Sequence, residues 1–164
     1  MNNIFFSFFS TMLFFSCTNA QTKANKNTVY STTDTATINL SKTEWKKLLD
    51  ANVYNIAREK GTEYAFSGQF WNHKDKGLYR CKACGNALFK SNGKFESNCG
   101  WPSFFEPITA TSVKYNEDNT NGMQRVEVMC GRCSAHLGHI FDDGPPPTYK
   151  RYCINSVILD FEKK

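Results

Sequence analysis

Arg151-Tyr152-Cys153-Ile154-Asn155-Ser156-Val157-Ile158-Leu159-Asp160-Phe161 is the stretch from which the rest of the chain can be read. Its β-branched and aromatic residues predict a strand that runs on to Phe161. Successive side chains on a strand face opposite ways. Arg151, Cys153 and Asn155 therefore share one face, and Tyr152, Ile154 and Ser156 the other. A guanidinium beside a thiol favours the thiolate, and an amide can hydrogen-bond a polar atom that reaches the sulfur. The plainer reading of the same residues is a buried cysteine on a core strand.

Upstream, short apolar or alternating runs separated by Gly, Asn, Asp and Pro predict further strands over 78–80, 87–89, 112–115 and 125–129. Together these describe a small, mainly β, antiparallel domain. Two short helices precede it. Ser41-Lys42-Thr43-Glu44 is a capping box, with Trp45, Leu48 and Leu49 following at helical spacing. A second helix is expected from Ala51 to Glu59, with Gly61 as its stop.

Two of the predicted strands run into Cys81-Lys82-Ala83-Cys84-Gly85 and Cys130-Gly131-Arg132-Cys133. Each is a Cys-x-x-Cys knuckle with glycine at or near the turn. Two knuckles supply the four sulfurs of a closed tetrahedral zinc site, which would clamp strands far apart in sequence. A single iron on four thiolates is the rival occupant. Two disulfides or four free thiols are the readings without metal. Such knuckles also occur in nucleic-acid-binding proteins, so they fix no function.

The chain has 164 residues, 40% hydrophobic and 21% charged, which suits one globular domain. Its net charge of +5 is modest and its lysines are scattered, so no nucleic-acid surface is indicated. Residues 4–15 are almost wholly apolar but short for a bilayer span, and residues 1–20 read as a secretory signal. An uncleaved anchor is the alternative. Before that run only the α-amino group is positive. Ser16-Cys17 after it resembles a lipoprotein cleavage box, which makes Cys17 a lipidation site; cleavage after Thr18-Asn19-Ala20 is the other option. Residues 21–39 are polar and read as a tether, leaving 40–164 as the domain. An exported, membrane-anchored or periplasmic protein is expected.

Seven cysteines can then be assigned. Four go to metal and Cys17 to lipid or the cleaved leader. Cys99 and Cys153 remain, and two free thiols in an exported protein should form a disulfide or work as a redox couple. Cys99 opens Cys99-Gly100-Trp101-Pro102-Ser103-Phe104, a loop whose Trp101 is either core or one wall of a pocket for a small apolar group. His136-Leu137-Gly138-His139-Ile140-Phe141 adds two imidazoles, and Asp142-Asp143-Gly144-Pro145 follows. With the cysteines already a full metal set, the two histidines read as proton donors near neutral pH.

These motifs, in this order, resemble the methionine-R-sulfoxide reductase B family over 41–161, and Gly122-Met123-Gln124-Arg125 and Asp143-Gly144-Pro145 fit it too. The resemblance implies two antiparallel sheets with short helices and a structural zinc remote from the active site, with no organic cofactor. It implies Cys153 as nucleophile and Cys99 as resolving cysteine. It places Trp101, His136, His139, Arg151 and Asn155 in the substrate pocket, with Phe141 beside Trp101 against the substrate methyl. Its expected partners are oxidised proteins or peptides and a thioredoxin-like reductant, for a monomer that meets the membrane only through a lipid. The leader lies outside the family pattern. The competing functional reading is a zinc-ribbon binding module without catalysis.

Overall fold

The structure is a computed structural model in which residues 27–164 are described; the leader, Cys17 and residues 21–26 lie outside them. Helix α1 (Lys42–Leu48) opens on the expected capping box. Glu44 N–H donates to Ser41 Oγ at 3.3 Å, and Ser41 N–H donates to Glu44 Oε2 at 2.8 Å. Helix α2 (Ala51–Glu59) ends as expected, but the left-handed residue is Lys60 (φ 56°), one before Gly61, whose N–H bonds the Asn55 carbonyl. Trp45, Val53, Ile56 and Ala57 are the buried face of this pair.

Nine strands follow: β1 (Gly77–Cys81), β2 (Ala87–Lys90), β3 (Lys94–Phe95), β4 (Ser103–Phe104), β5 (Val113–Asp118), β6 (Arg125–Cys130), β7 (His136–Phe141), β8 (Arg151–Ile154) and β9 (Leu159–Lys163). All pairings are antiparallel, in a three-stranded sheet ordered β2-β1-β9 and a six-stranded sheet ordered β3-β4-β8-β7-β6-β5. The mainly β class and the two sheets are as expected. Strands β3, β4 and β7 were not foreseen as strands, because the first two have only two residues and the third was read for its histidines.

The stretch from Arg151 is two strands, not one. It pairs in the six-stranded sheet as far as Ile154, makes a single 3-10 turn over Ser156–Ile158, and continues as β9 in the other sheet. Glu63 stabilises the break. Its carboxylate accepts the N–H groups of Ser156 (2.6 Å) and Val157 (2.9 Å), which a continuous strand would have given to a neighbour. Crossing here is what ties the sheets together. Tyr152 and Ile154 point into the core between them, while Arg151 and Cys153 point out. Phe89 stacks on Phe104 at 4.3 Å, and Tyr79 and Tyr152 close the aromatic centre.

The knuckles follow β1 and β6. Gly85 (φ 81°) and Ser134 (φ 55°) sit at matching positions after them, and their N–H groups close onto the carbonyls of Cys81 and Cys130. Residues 27–38, expected to be part of a tether, instead run along the knuckles. Ser31 N–H donates to Cys84 O, and Ile38 N–H to Arg132 O. The Arg132 guanidinium, 5% exposed, collects the carbonyls of Val29, Ser31, Ala36 and Cys84 and an ion pair from Asp34 at 2.6 Å. Polar composition misled because this segment is held by its backbone and one buried cation, not by an apolar face. Gly85 is needed here, since a Cβ would run into the Ser31 backbone.

Candidate active site

Strand register gathers the site on the outward face of the six-stranded sheet. His139 lies opposite Cys153, and Phe141 opposite Arg151. One strand further on, Glu127 lies opposite His139, and beyond that Asp118 pairs with Arg125 and Asn116 with Glu127. Two residues three apart on a regular strand face opposite ways. His136 and His139 nevertheless share this face, because the register slips by one between Val128 and Met129 and leaves Leu137 unpaired. Their ring centroids are 5.5 Å apart. Gly138 lies between them, where a Cβ would collide with the carbonyl oxygen of Cys153, so only glycine lets β7 come this close to β8.

A cavity of about 210 Å³ opens on Cys153. Trp101, Phe141 and His139 stand around it, with Asn155, Gly138, Thr62 and Arg125. This is room for one side chain, with Trp101 and Phe141 as aromatic walls and Thr62, Arg125, His139 and Asn155 as polar lining. Trp101 is fixed by its indole N–H to the Glu63 carbonyl at 3.2 Å. His136 and Arg151 are not among the cavity residues. His136 is 4% exposed and its Nδ1 meets Glu127 Oε1 at 2.7 Å. Burial lowers its pKa, against the opposing pull of Glu127. Burial would raise the carboxyl of Glu127, yet Lys60 (2.7 Å) and His136 hold it below the ordinary range. His139 Nε2 meets Asp118 Oδ2 at 2.7 Å, and Arg125 reaches the same oxygen at 2.7 Å. Thr120 and His139 hold the Asp118 carboxyl well below the usual carboxylate range.

Arg151 makes a two-pronged ion pair with Asp143 (2.8 and 2.8 Å) and lies over the Phe141 ring at 4.5 Å. Its charge is therefore shared, and it acts on Cys153 less than its neighbours do. The sulfurs of Cys99 and Cys153 are 3.7 Å apart and unbonded. Two thiolates at that separation would repel, so the pair keeps one proton. Hydrogen bonding to Cys99 and burial push the Cys153 thiol up, and Arg151 only partly offsets them. Cys99 is drawn down to about 4 by the bond from Cys153, helped by Ser103 and Ser97. Arg151, shared with Asp143, therefore favours a Cys153 thiolate only in part. Cys153 nevertheless is the one that lines the cavity.

Asn155 lines the cavity beside Cys153. Both ends of its amide are engaged, Nδ2 with Leu137 O at 3.0 Å and Oδ1 with the N–H of Glu63 at 3.0 Å. It braces the walls with its Oδ1 and one of its two Nδ2 hydrogens. Glu63, Asp118, Glu127 and Thr62 were not anticipated. Only Glu127 carried a signal, because it shares strand parity with Arg125.

At the other end of β6 from Arg125, the sulfurs of Cys81, Cys84, Cys130 and Cys133 are buried and all within 4.8 Å of one another. Cys81–Cys133 and Cys84–Cys130 contacts are 3.8 and 3.6 Å. Sulfurs held tetrahedrally at the usual zinc–sulfur length stand about 3.8 Å apart. No disulfide joins any of the six described cysteines. The set fits a tetrahedral metal ion.

A mainly β domain with four clustered sulfurs that could hold a metal ion, and a second thiol pair of which Cys153 lines a cavity, defines a thiol oxidoreductase. Residues 49–163 match the SelR domain. The chain is 52% identical over 127 residues to a peptide methionine sulfoxide reductase MsrB of Methanosarcina mazei, covering 77% of this chain and 91% of that one. It is 53% identical over 121 residues to the MsrB of Thiobacillus denitrificans (74% and 92%) and 49% over 125 residues to that of Acinetobacter baylyi (76% and 90%). The chain belongs to the MsrB family.

Proposed function

We propose that this chain reduces methionine sulfoxide, as the R epimer, in oxidised proteins and peptides. The carrying observation is the cavity-lining Cys153 with Cys99 Sγ 3.7 Å behind it, inside aromatic walls. In this reading Cys153 Sγ attacks the sulfoxide sulfur and passes its proton to Cys99. His139, which faces the cavity, protonates the sulfoxide oxygen. The oxygen is transferred to Cys153 as sulfenic acid and methionine departs with two electrons. Cys99 then attacks the Cys153 sulfur, its proton leaves with the hydroxyl as water, and a disulfide remains. A thioredoxin-like donor returns two electrons to the pair, with one proton going to the pair and one to His139.

Trp101 and Phe141 would hold the substrate methyl, and Arg151 orients Phe141. The metal at the four cysteines is read as zinc, a structural clamp outside the chemistry. The protein is read as an exported monomer, lipidated on Cys17 and tethered to the membrane by that lipid alone. Among the described residues no helix is long and apolar enough to cross a membrane. A zinc-ribbon binding module would share the four-cysteine cluster but needs neither the cavity nor the second thiol pair. Incubating the purified domain and dithiothreitol with peptides carrying R- or S-sulfoxide, read by mass spectrometry, tests the reading. Loss of oxygen from the R peptide alone is expected; turnover of neither peptide would overturn it.

A further inference from the structure

Cys99 sits against two hydroxyls that the reaction above does not use. Ser97 Oγ is 2.9 Å from Cys99 Sγ and 2.6 Å from Ser103 Oγ. Ser103 Oγ is itself 3.5 Å from Cys99 Sγ and 3.3 Å from the Trp101 carbonyl. Ser103 is fully buried and lies opposite Cys153 in the β4–β8 pairing. A hydroxyl has one proton to give. The single proton of Ser103 can go to Ser97 at 2.6 Å or to the Trp101 carbonyl at 3.3 Å, and the shorter bond leaves Ser97 free to donate to the sulfur. Donation along such a chain strengthens each member, and a sulfur anion gains more from it than a neutral thiol.

We propose that Ser97 and Ser103 form a hydroxyl cradle that holds Cys99 as the ionised member of the thiol pair. This deepens the proposed function and rests on it only in making Cys99 the resolving thiol. The cradle does two things there. It keeps a base beside Cys153 when substrate arrives, and it restores a thiolate at Cys99 once Cys153 carries the sulfenic acid. The second step forms the Cys99–Cys153 bond, breaks the sulfur–oxygen bond of the sulfenic acid and releases water. Other charged or titratable groups facing the pair are Arg151 on β8, already tied to Asp143, and His139 on β7, tied to Asp118. Neither is within the cradle; besides Cys153, the two hydroxyls are the donors beside Cys99, while the Trp101 carbonyl 3.6 Å from its sulfur can only accept. Ser97 and Ser103 are positioning residues, because they act through Cys99.

The test is the pH dependence of alkylation of the reduced full chain by iodoacetamide. Initial rates at Cys99 and Cys153 are read separately by peptide mass spectrometry. In the parent, Cys99 should alkylate at lower pH than Cys153. Losing a hydrogen bond to a charged group moves an ionisation by about one pH unit or more, so Ser97→Ala should slow Cys99 alkylation about tenfold in mild acid and raise its midpoint. Ser97→Thr, which keeps the hydroxyl, should retain the parent profile. A purely structural role would give the opposite order, with the bulkier Thr more harmful than Ala. An unmoved Cys99 midpoint in folded Ser97→Ala, or an equal rise in Ser97→Thr, overturns the cradle. Sulfoxide reduction by the parent is scored separately. Its absence would sink the proposed function while the alkylation profiles still decide the cradle.

Discussion

At His139 an imidazole faces the cavity and leans on Asp118; at His136 it faces a buried carboxylate. The two should therefore fail differently. His139→Ala removes the proton donor, and kcat should fall about 10²- to 10⁴-fold with the melting temperature nearly kept. His136→Ala leaves the buried Glu127 without one of its two charged partners and with only the Lys60 charge against it, so stability falls first. Methionine-release assays beside thermal melts distinguish them, and equal activity losses with equal melting temperatures would contradict the division. Glu127 also sets an acid limit. Its folded-state pKa lies below the ordinary value, so the folded protein binds fewer protons than the unfolded chain in mild acid. That stability is present above the unfolded carboxylate pKa of about 4.3 and is lost as pH falls through the folded value. Urea midpoints measured from neutral pH downward should drop less steeply in Glu127→Gln than in the parent, from a lower starting stability. An unchanged acid slope would remove Glu127 as a contributor.

At the scale of elements, alternation along Arg151–Ile154 was enough to separate core from site, and the capping box was enough to start α1. Neither needs anything beyond local geometry. What escaped local reading depends on partners. The break at Ser156 needs the Glu63 carboxylate from ninety residues away in sequence to accept its N–H groups. The slip that brings His136 and His139 to one face exists only in the β6–β7 pairing, and no property of either strand alone announces it. The ionisation of the thiol pair likewise depends on Ser97, Ser103 and Asp143, which are not on the cysteine strand. Residues 27–38 teach the same lesson, since their attachment is to Arg132 rather than to each other. Removing residues 1–38 should lower the melting temperature by about 5 °C or more, because it leaves the Arg132 guanidinium without Asp34 and the carbonyls of Val29, Ser31 and Ala36. The same deletion should speed metal loss to a chelator. A melt and a release rate both unchanged would mean the segment only lies there.

For the whole molecule, the four-cysteine cluster joins the ends of β1 and β6, one from each sheet, whereas Cys153 lies in β8 of the six-stranded sheet with Cys99 beside it, and the two sets share no residue. Cys84→Ser should release the metal and lower the melting temperature steeply, because structural zinc contributes folding free energy directly. Whatever fraction stays folded should keep its Cys99–Cys153 chemistry. Metal content by mass spectrometry reads the first half, and an unchanged content would remove the clamp. The division of labour between the two remaining thiols is the centre of the account, and it rests on access: Cys153 lines the cavity while Cys99 waits behind it. The direct measurement is methionine released per enzyme in a single turnover, with a sulfenic-acid trap, for Cys153→Ser and Cys99→Ser. Cys153→Ser should release none. Cys99→Ser should release about one equivalent, more slowly than the parent, and stop as a trappable sulfenic acid that a small thiol can rescue. Release by Cys153→Ser with none from Cys99→Ser would reverse the roles, and release by both would mean that neither thiol is the nucleophile.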